Sequence, residues 1–181
     1  MLKLNLNKCY RKKESFYFFY LTVSGFYLFF LLSFFSVSNS IANEIEKMCS
    51  DLVTKASLHI EKVGLEQAFK DFDDRNGKFY SDKLYLYTLT SNGICIQHAE
   101  NHALVGMDTR KMKDPSGKWF IKEMIIQSEK SKSGWITYLW TNPKTKKIEH
   151  KKVFYIRMDN LKDKKIESGV GIIVVSGFYI N

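Results

Sequence analysis

Histidine is the first residue type to consider for chemistry in this sequence, because His98 and His102 lie four residues apart. On a helix that spacing places two imidazoles on one face, where both can bind a metal ion. Here the pair follows a predicted strand and enters a loop, and Glu100 between the two histidines does not complete a known zinc motif. Two ligands do not make a site, so we predict no metal and no other cofactor.

Motifs for catalysis are also missing. The sequence contains no glycine-rich nucleotide loop, no HExxH, no EF-hand loop and no GxSxG. No nucleophile can be matched with a base and an orienting acid, so we predict that the protein is not an enzyme. What the polar side chains offer is binding, because tyrosine hydroxyls, histidine N–H groups and lysine ammonium groups are all donors to an anion.

The charge of the chain agrees with binding of an anion without requiring it. The formal net charge is +9, which suits an anionic ligand, a negatively charged membrane surface or an ordinary solvated surface. Basic and aromatic residues alternate between Trp140 and Phe154, a pattern also found in nucleic-acid-binding proteins. A strand with one solvated face explains the alternation. The first 42 residues, described next, predict export from the cytoplasm, where nucleic acid is found, so we predict no such partner.

The first 42 residues have the three parts of a secretory signal: a basic start, an apolar stretch over Phe16–Phe35, and a small polar segment that ends at Ala42. We favour cleavage after Ala42, which leaves a domain of residues 43–181 in the periplasm or secreted. The apolar stretch is also long enough to span a bilayer. The alternative is therefore an uncleaved anchor at residues 16–35 with the domain facing the periplasm.

The rest of the chain predicts an α+β domain with a five-stranded antiparallel sheet covered on at least one face. Gly64 separates a long N-terminal helix from a shorter one, and a long loop over Ala99–Trp119 precedes a connecting helix. The last strand is nearly all apolar and should be central. The predicted helices are 43–63, 65–72 and 119–129, and the predicted strands are 84–90, 94–98, 134–140, 148–158 and 170–180.

Two cysteines remain after the signal segment, Cys49 and Cys95. An oxidising compartment permits a disulfide between them. Two separate buried thiols explain them equally well, because free cysteine is commonly buried. The sequence leaves both alternatives open.

The ordered segments resemble a single Cache domain of the second type. The resemblance covers residues 43–181, and each segment is weak alone, whereas the ordered set is specific. Its strongest segment is Gly134–Trp140 followed by Asn142-Pro143. The other segments are Leu84–Tyr87, Ile96–His98, Leu104–Asp108, Asp114–Lys118 before the connecting helix, Lys152, Tyr155 and Ser176–Ile180.

This resemblance implies a PAS-like sheet behind a long N-terminal helix, in an extracytoplasmic sensor domain for small organic acids. The strands that resemble the family's pocket wall carry the predicted ligand-binding residues, which are Tyr85, His98, Trp135, Tyr138, Lys152 and Tyr155. Trp135 and Tyr138 differ by three positions, so we expect them on opposite sides of the sheet. Lys151 should point away from Lys152, into solvent.

The predicted ligand is a carboxylate of two or three carbons. Because the sequence ends at Asn181, directly after the last strand, we expect a domain that acts without its own cytoplasmic output domain. It would present the ligand to a membrane receptor or form a homodimer through its N-terminal helix. The alternative is an envelope interaction or structural module with a vestigial pocket and an aromatic surface patch of Phe72, Phe79, Tyr80 and Trp119.

Overall fold

The computed structural model describes residues 42–161, 166–167 and 169–180. The predicted signal segment, apart from residue 42, and the alternative anchor at residues 16–35 lie outside the described residues. The chain divides into two units, Met1–Glu44 and Ile45–Asn181, and the architecture below is that of the second unit. Within the described ranges, no helix has the length and apolar character needed to cross a membrane.

The N-terminal helix, α1, covers residues 42–73 and turns sharply at Gly64. The φ angle of Gly64 is +77°, a left-handed conformation that glycine adopts without strain. In a straight helix, residues 59 and 71 would be about 18 Å apart, yet His59 Nε2 lies 2.6 Å from Asp71 Oδ2. The chain therefore folds back at Gly64, where the sequence predicts a break.

Five strands form one antiparallel sheet in the order β2-β1-β5-β4-β3. They are β1 (Leu86–Thr90), β2 (Cys95–His98), β3 (Ser133–Thr141), β4 (Ile148–Met158) and β5 (Ile172–Ile180). Helix α2 (Phe120–Lys130) connects β2 to β3, and β5 is central as its apolar run predicts. The predicted α+β fold, with its long N-terminal helix and connecting helix, is confirmed.

The sheet has two covered faces because successive side chains of a strand point to opposite sides. On the side that we call the α1 face, Leu86, Ile172 and Val174 pack with Val53, Ala56 and Ile60 of α1. On the other side, the α2 face, Leu89, Val153 and Val175 pack with Phe120, Ile121 and Met124 of α2. The domain is thus a layer of sheet between two helical layers.

Cys49 and Cys95 are free, buried thiols. Cys49 packs with Leu84 and Phe178, whereas Cys95 belongs to the core of the α2 face. Burial raises the pKa of each thiol to about 11, so both stay protonated at neutral pH. Of the two alternatives that the sequence leaves open, the structure has the separate thiols.

The aromatic surface patch considered for an interaction module does not form. Phe72 and Phe79 are core residues, 0% and 3% exposed, with ring centres 4.8 Å apart in an edge-on contact. Tyr80 is half-buried and Trp119 is 39% exposed. The prediction of this patch is therefore wrong for Phe72 and Phe79, because Phe72 lies on the buried side of the folded-back end of α1 and packs against Phe79 in the core.

Candidate functional site

A half-open cavity of about 30 Å³ lies on the α2 face, beneath α2 and the loop before it. A water molecule needs about 10–15 Å³, so the cavity suits a ligand of few non-hydrogen atoms. Its polar lining residues are Tyr87, His98, Thr109, Tyr138 and Lys151. Its other lining residues are Leu89, Cys95, Leu104, Met112, Phe120, Ile121 and Trp140.

Lys151 on β4 is the most unusual of the lining residues, because it is only 2% exposed. Its Nζ donates a hydrogen bond of 2.6 Å to the hydroxyl of Tyr85. The same Nζ lies 4.4 Å from the ring centre of Tyr85, 5.7 Å from that of Tyr87 and 5.4 Å from that of Tyr179. These rings stabilise an ammonium group through their negative faces. No carboxylate of the described residues pairs with it, whereas Lys152 beside it pairs with Glu46.

His98 at the end of β2 is neutral and has a defined tautomer. Its Nδ1 accepts hydrogen bonds from the backbone N–H groups of Glu100 at 3.3 Å and Asn101 at 3.0 Å. Burial, and then the charge of Lys151, lower the pKa of the imidazole to about 4. The single proton is therefore on Nε2, which makes Nε2 a donor. The ring stacks on Tyr87, with ring centres 5.4 Å apart, and so stays beside the polar lining.

Three tyrosine hydroxyls complete the polar group. The hydroxyls of Tyr87 and Tyr138 lie 3.4 Å apart. Burial raises the pKa of both well above the usual value, and burial also raises the pKa of Tyr85 to about 12. All three hydroxyls therefore stay protonated at neutral pH, and each remains a hydrogen-bond donor. Phe120 holds Tyr138 in place by stacking on it, with ring centres 4.1 Å apart.

Asp114 attaches the loop and the start of α2 to the sheet. Its Oδ2 accepts from the backbone N–H of Leu139 on β3 at 2.9 Å. Its Oδ1 accepts from the backbone N–H groups of Ser116 and Lys118 and from the Ser116 hydroxyl. Burial favours the protonated carboxyl, but these hydrogen bonds outweigh it and lower the pKa of Asp114 to about 2. This turn positions Phe120 over the cavity.

The structure divides the six predicted site residues between the two faces of the sheet. Tyr85, His98, Tyr138 and Tyr155 lie on the α2 face. Tyr85 reaches the cavity through its bond to Lys151. Tyr155 is 1% exposed in the core. A Cβ atom at position 134 would lie only 2.7 Å from the Tyr155 hydroxyl, so glycine at this position leaves the space that the tyrosine side chain occupies.

Trp135 and Lys152 lie on the α1 face, away from the cavity. Lys152 Nζ lies 2.6 Å from Glu46 Oε1 and 5.0 Å from the ring centre of Trp135. Trp135 and Tyr138 face opposite sides, as their spacing of three positions requires. The expectation that Lys151 is solvated is wrong, because Lys151 is the lysine that lines the cavity.

The pattern of the strands contains a signal for Lys151. Lys151 and Tyr155 differ by four positions and share a face, whereas Lys152 and Tyr155 differ by three and cannot. The same rule pairs Tyr87 with Tyr85 and Trp140 with Tyr138. Nothing in the sequence could find Leu104, Thr109 and Met112, because a loop with two 3₁₀ turns, His102–Leu104 and Thr109–Lys111, brings them to the cavity.

Acidic, histidine and cysteine side chains do not gather into a metal site in the part of the chain that the structure describes. The Nδ1 of His98 is occupied by two backbone N–H groups. The spacing of His98 and His102 therefore does not assemble a set of metal ligands.

The chain belongs to the Cache domain family, because the family's model matches residues 34–180. This is the family that the resemblance predicts. Cache domains are extracytoplasmic sensory domains that bind small ligands. Among curated proteins, none matches this chain.

Solved structures share the fold at low sequence identity. A Cache chemosensory domain described for carboxylic acid recognition is 22% identical, with 76% of this chain and 90% of that chain covered and a TM-score of 0.54. A periplasmic sensor domain of a chemotaxis protein is 19% identical, with coverage of 77% and 92% and a TM-score of 0.56. A methyl-accepting chemotaxis protein from Vibrio parahaemolyticus is 19% identical, with coverage of 79% and 93% and a TM-score of 0.61.

Proposed function

We propose that this domain binds a small monocarboxylic acid in the cavity on the α2 face and acts as its extracytoplasmic sensor. The observation that carries the proposal is the buried side chain of Lys151, which is 2% exposed and has no carboxylate partner among the described residues. A buried ammonium group without a counter-charge is strongly unfavourable. The tyrosine rings around it offset part of that penalty, and a bound carboxylate supplies the missing charge.

The donors around Lys151 suit one carboxylate group. Lys151 Nζ has three N–H donors and uses one of them for Tyr85. His98 adds its Nε2–H. Tyr87 and Tyr138 are close enough to each other for one hydroxyl to donate to the other, which leaves one hydroxyl proton for the ligand. Charge-assisted hydrogen bonds of this kind are the strong ones in protein sites.

The rest of the lining limits the class of acid. The described lining residues include no carboxylate, so the ammonium group of an amino acid would find no acidic partner and would face Lys151. A second carboxylate would be buried against Leu104, Met112 or Trp140, which is unfavourable without a donor. We therefore expect acids of two or three carbons, such as acetate, propionate, lactate and pyruvate.

Two comparisons support a small acid as the ligand. Membership in a family of sensory domains makes ligand binding the expected activity. One solved structure with the same fold is a Cache domain that recognises carboxylic acids. An identity of 22% supports a shared fold only. The argument for a carboxylate ligand in the present domain therefore depends on Lys151 and the residues around it.

Calorimetric titration of the full chain, purified in mild detergent, tests the proposal. Propionate and lactate should bind, whereas alanine should not, because alanine carries an ammonium group where lactate has a hydroxyl group. Lys151→Met should weaken propionate binding about 10- to 100-fold, since a hydrogen bond to a charged group contributes about 1.5–3 kcal/mol.

Lys152→Met is the matched control, because it removes the neighbouring lysine on the other face of the sheet. It should change the affinity for propionate less than about fivefold, as expected for a partly exposed ion pair. If none of the acids binds, or if Lys152→Met weakens binding as much as Lys151→Met, the proposal is wrong. The vestigial pocket of an envelope interaction module would then be the better explanation.

Several finer expectations stay predictions. They are cleavage after Ala42 or retention of an anchor at residues 16–35, a homodimer through α1, and a membrane receptor as partner. Mass determination of the mature N-terminus tests the first of these. Size-exclusion chromatography with light scattering, in the presence and absence of propionate, tests the homodimer.

A further inference from the structure

Two strands each carry a pair of adjacent residues that connects the cavity to α1 through the sheet. On β4, Lys151 lines the cavity and Lys152 bonds to α1. On β2, His98 lines the cavity and Gln97 bonds to α1. In both pairs one side chain faces the ligand site, and its neighbour holds the helix on the opposite face.

The bonds to the helix are short and lie near its two ends. Lys152 Nζ lies 2.6 Å from Glu46 Oε1, close to the start of the helix. Gln97 Nε2 donates to Asp73 Oδ1 at 2.9 Å, on the last residue of the helix. Gln97 is 2% exposed and also donates to the carbonyl of Leu86 at 3.3 Å. Its side chain is therefore held firmly between β1 and α1.

Adjacent residues in a strand share one planar peptide unit, so a displacement of the backbone at one residue also displaces its neighbour. A ligand that drew Lys151 and His98 towards its carboxylate would shift β4 and β2 locally. The same shift would move Lys152 and Gln97 relative to Glu46 and Asp73. The sheet also contacts α1 through the apolar packing of Leu86, Ile172 and Val174. Apolar packing has no preferred direction, so a small displacement of the strands changes its energy less than the energy of a hydrogen bond or an ion pair.

We propose that the Lys152–Glu46 and Gln97–Asp73 bonds couple occupation of the cavity to α1, so that the helix responds to the bound acid. This inference rests on the proposed function, since it needs a ligand at Lys151 and His98. Coupling between sites is reciprocal, so a change at either bond also changes the affinity of the cavity. Both side chains of the Lys152–Glu46 pair are partly exposed, which places the expected effect on affinity at about two- to fivefold.

Hydrogen–deuterium exchange of the full chain in detergent, with and without saturating propionate, tests the coupling. In the natural chain, propionate should change the exchange of α1 amides in residues 45–73. In Glu46→Ala/Asp73→Ala that change should disappear, and propionate should bind about two- to fivefold more weakly. Ser50→Ala is the matched control, because the Ser50 hydroxyl donates to Lys47 O within the same helix, and it should leave the response intact.

The outcomes separate the two proposals. If propionate does not bind to the natural chain, the proposed function and the coupling are both overturned. If propionate binds and α1 exchange does not change, or if the change persists in the double variant, the coupling alone is overturned. A double-mutant cycle tests the Lys152–Glu46 bond separately. The affinity for propionate is measured in Glu46→Ala, in Lys152→Met and in the variant that carries both substitutions. Additive effects in that cycle would contradict coupling through this bond.

Discussion

The two faces of the sheet differ in whether their buried polar groups have charged partners within the protein. On the α1 face, Lys152 is matched by Glu46 and buried Gln97 by Asp73. On the α2 face, Lys151 has no carboxylate partner among the described residues, and His98 has its pKa lowered to about 4 by burial and by Lys151. The polar groups of the α1 face are paired within the protein, whereas in the proposed function those of the α2 face are donors for a bound carboxylate.

Under the proposed function, this difference assigns the paired polar groups of the α1 face to stability and the unpaired lysine of the α2 face to binding. Apolar packing and paired polar groups on the α1 face stabilise the fold. The buried unpaired charge on the α2 face lowers stability, a compromise that is common at binding sites. Substitutions that are equivalent in chemistry should therefore have different effects on the two faces.

The largest expected effect comes from removing one large aromatic ring on each side. Phe72→Ala near α1 and Phe120→Ala over the cavity should each lower the free energy of unfolding by about 3–5 kcal/mol. Benzoate should restore part of the stability of Phe120→Ala only, because that substitution enlarges a cavity that already has donors for a carboxylate. Thermal unfolding with and without benzoate measures this, and equal rescue of both variants would contradict the distinction.

A smaller effect of opposite sign is expected from the two adjacent lysines. In the absence of ligand, Lys151→Met should raise the free energy of unfolding by about 1–2 kcal/mol, because an unpaired buried charge is replaced by an apolar chain of similar length. Lys152→Met should lower it by about 0–1 kcal/mol, the range for a partly exposed ion pair. Urea denaturation measures both values. A loss of stability in Lys151→Met would show that Lys151 is already satisfied within the protein.

The smallest effect is a dependence of stability on pH through His98. Its pKa is about 4 in the fold and about 6.5 in an unfolded chain, so the unfolded chain binds the proton first. Stability is fully present above about pH 6.5 and falls as the pH approaches 4, by about 1 kcal/mol between pH 7 and 5.5. Comparison of the natural chain with His98→Gln isolates this contribution. A bound carboxylate should reduce the loss, because it favours the protonated imidazole.

The fold could be predicted from the sequence because its signals are local. Enrichment in β-branched and aromatic residues next to turn signals predicts strands, Gly64 predicts the break in the N-terminal helix, and the apolar run of β5 predicts the central strand. The first strand was expected from Leu84 and begins at Leu86, because Leu84 is held in a turn by bonds to Ser81. Differences of this kind in the ends of strands arise where apolar residues stay buried beyond the last hydrogen bond between strands.

The site was harder to predict because its decisive contacts are distant in sequence. Alternation shows that Lys151 and Lys152 face opposite sides, and Tyr155 indicates which side is which. What makes Lys152 a structural residue is Glu46, 106 positions away on a helix. Leu104, Thr109 and Met112 come to the cavity through bonds of their loop to distant parts of the chain. The Thr109 hydroxyl donates to the carbonyl of Gly93 at 2.8 Å, and Asp114 accepts from the Leu139 N–H on β3.

The adjacency of the two lysines also restricts how β4 can change in length during evolution. Insertion or deletion of one residue within the strand would exchange the sides of all the side chains beyond it. Net charge and composition would hardly change, yet Lys152 would enter the cavity and Lys151 would meet Glu46. Length variation is expected instead in the exposed turn between β3 and β4, where the Asn142 N–H donates to the Lys147 carbonyl at 2.8 Å. Homologues of this domain should therefore differ in length in that turn, while the number of residues in β4 stays constant.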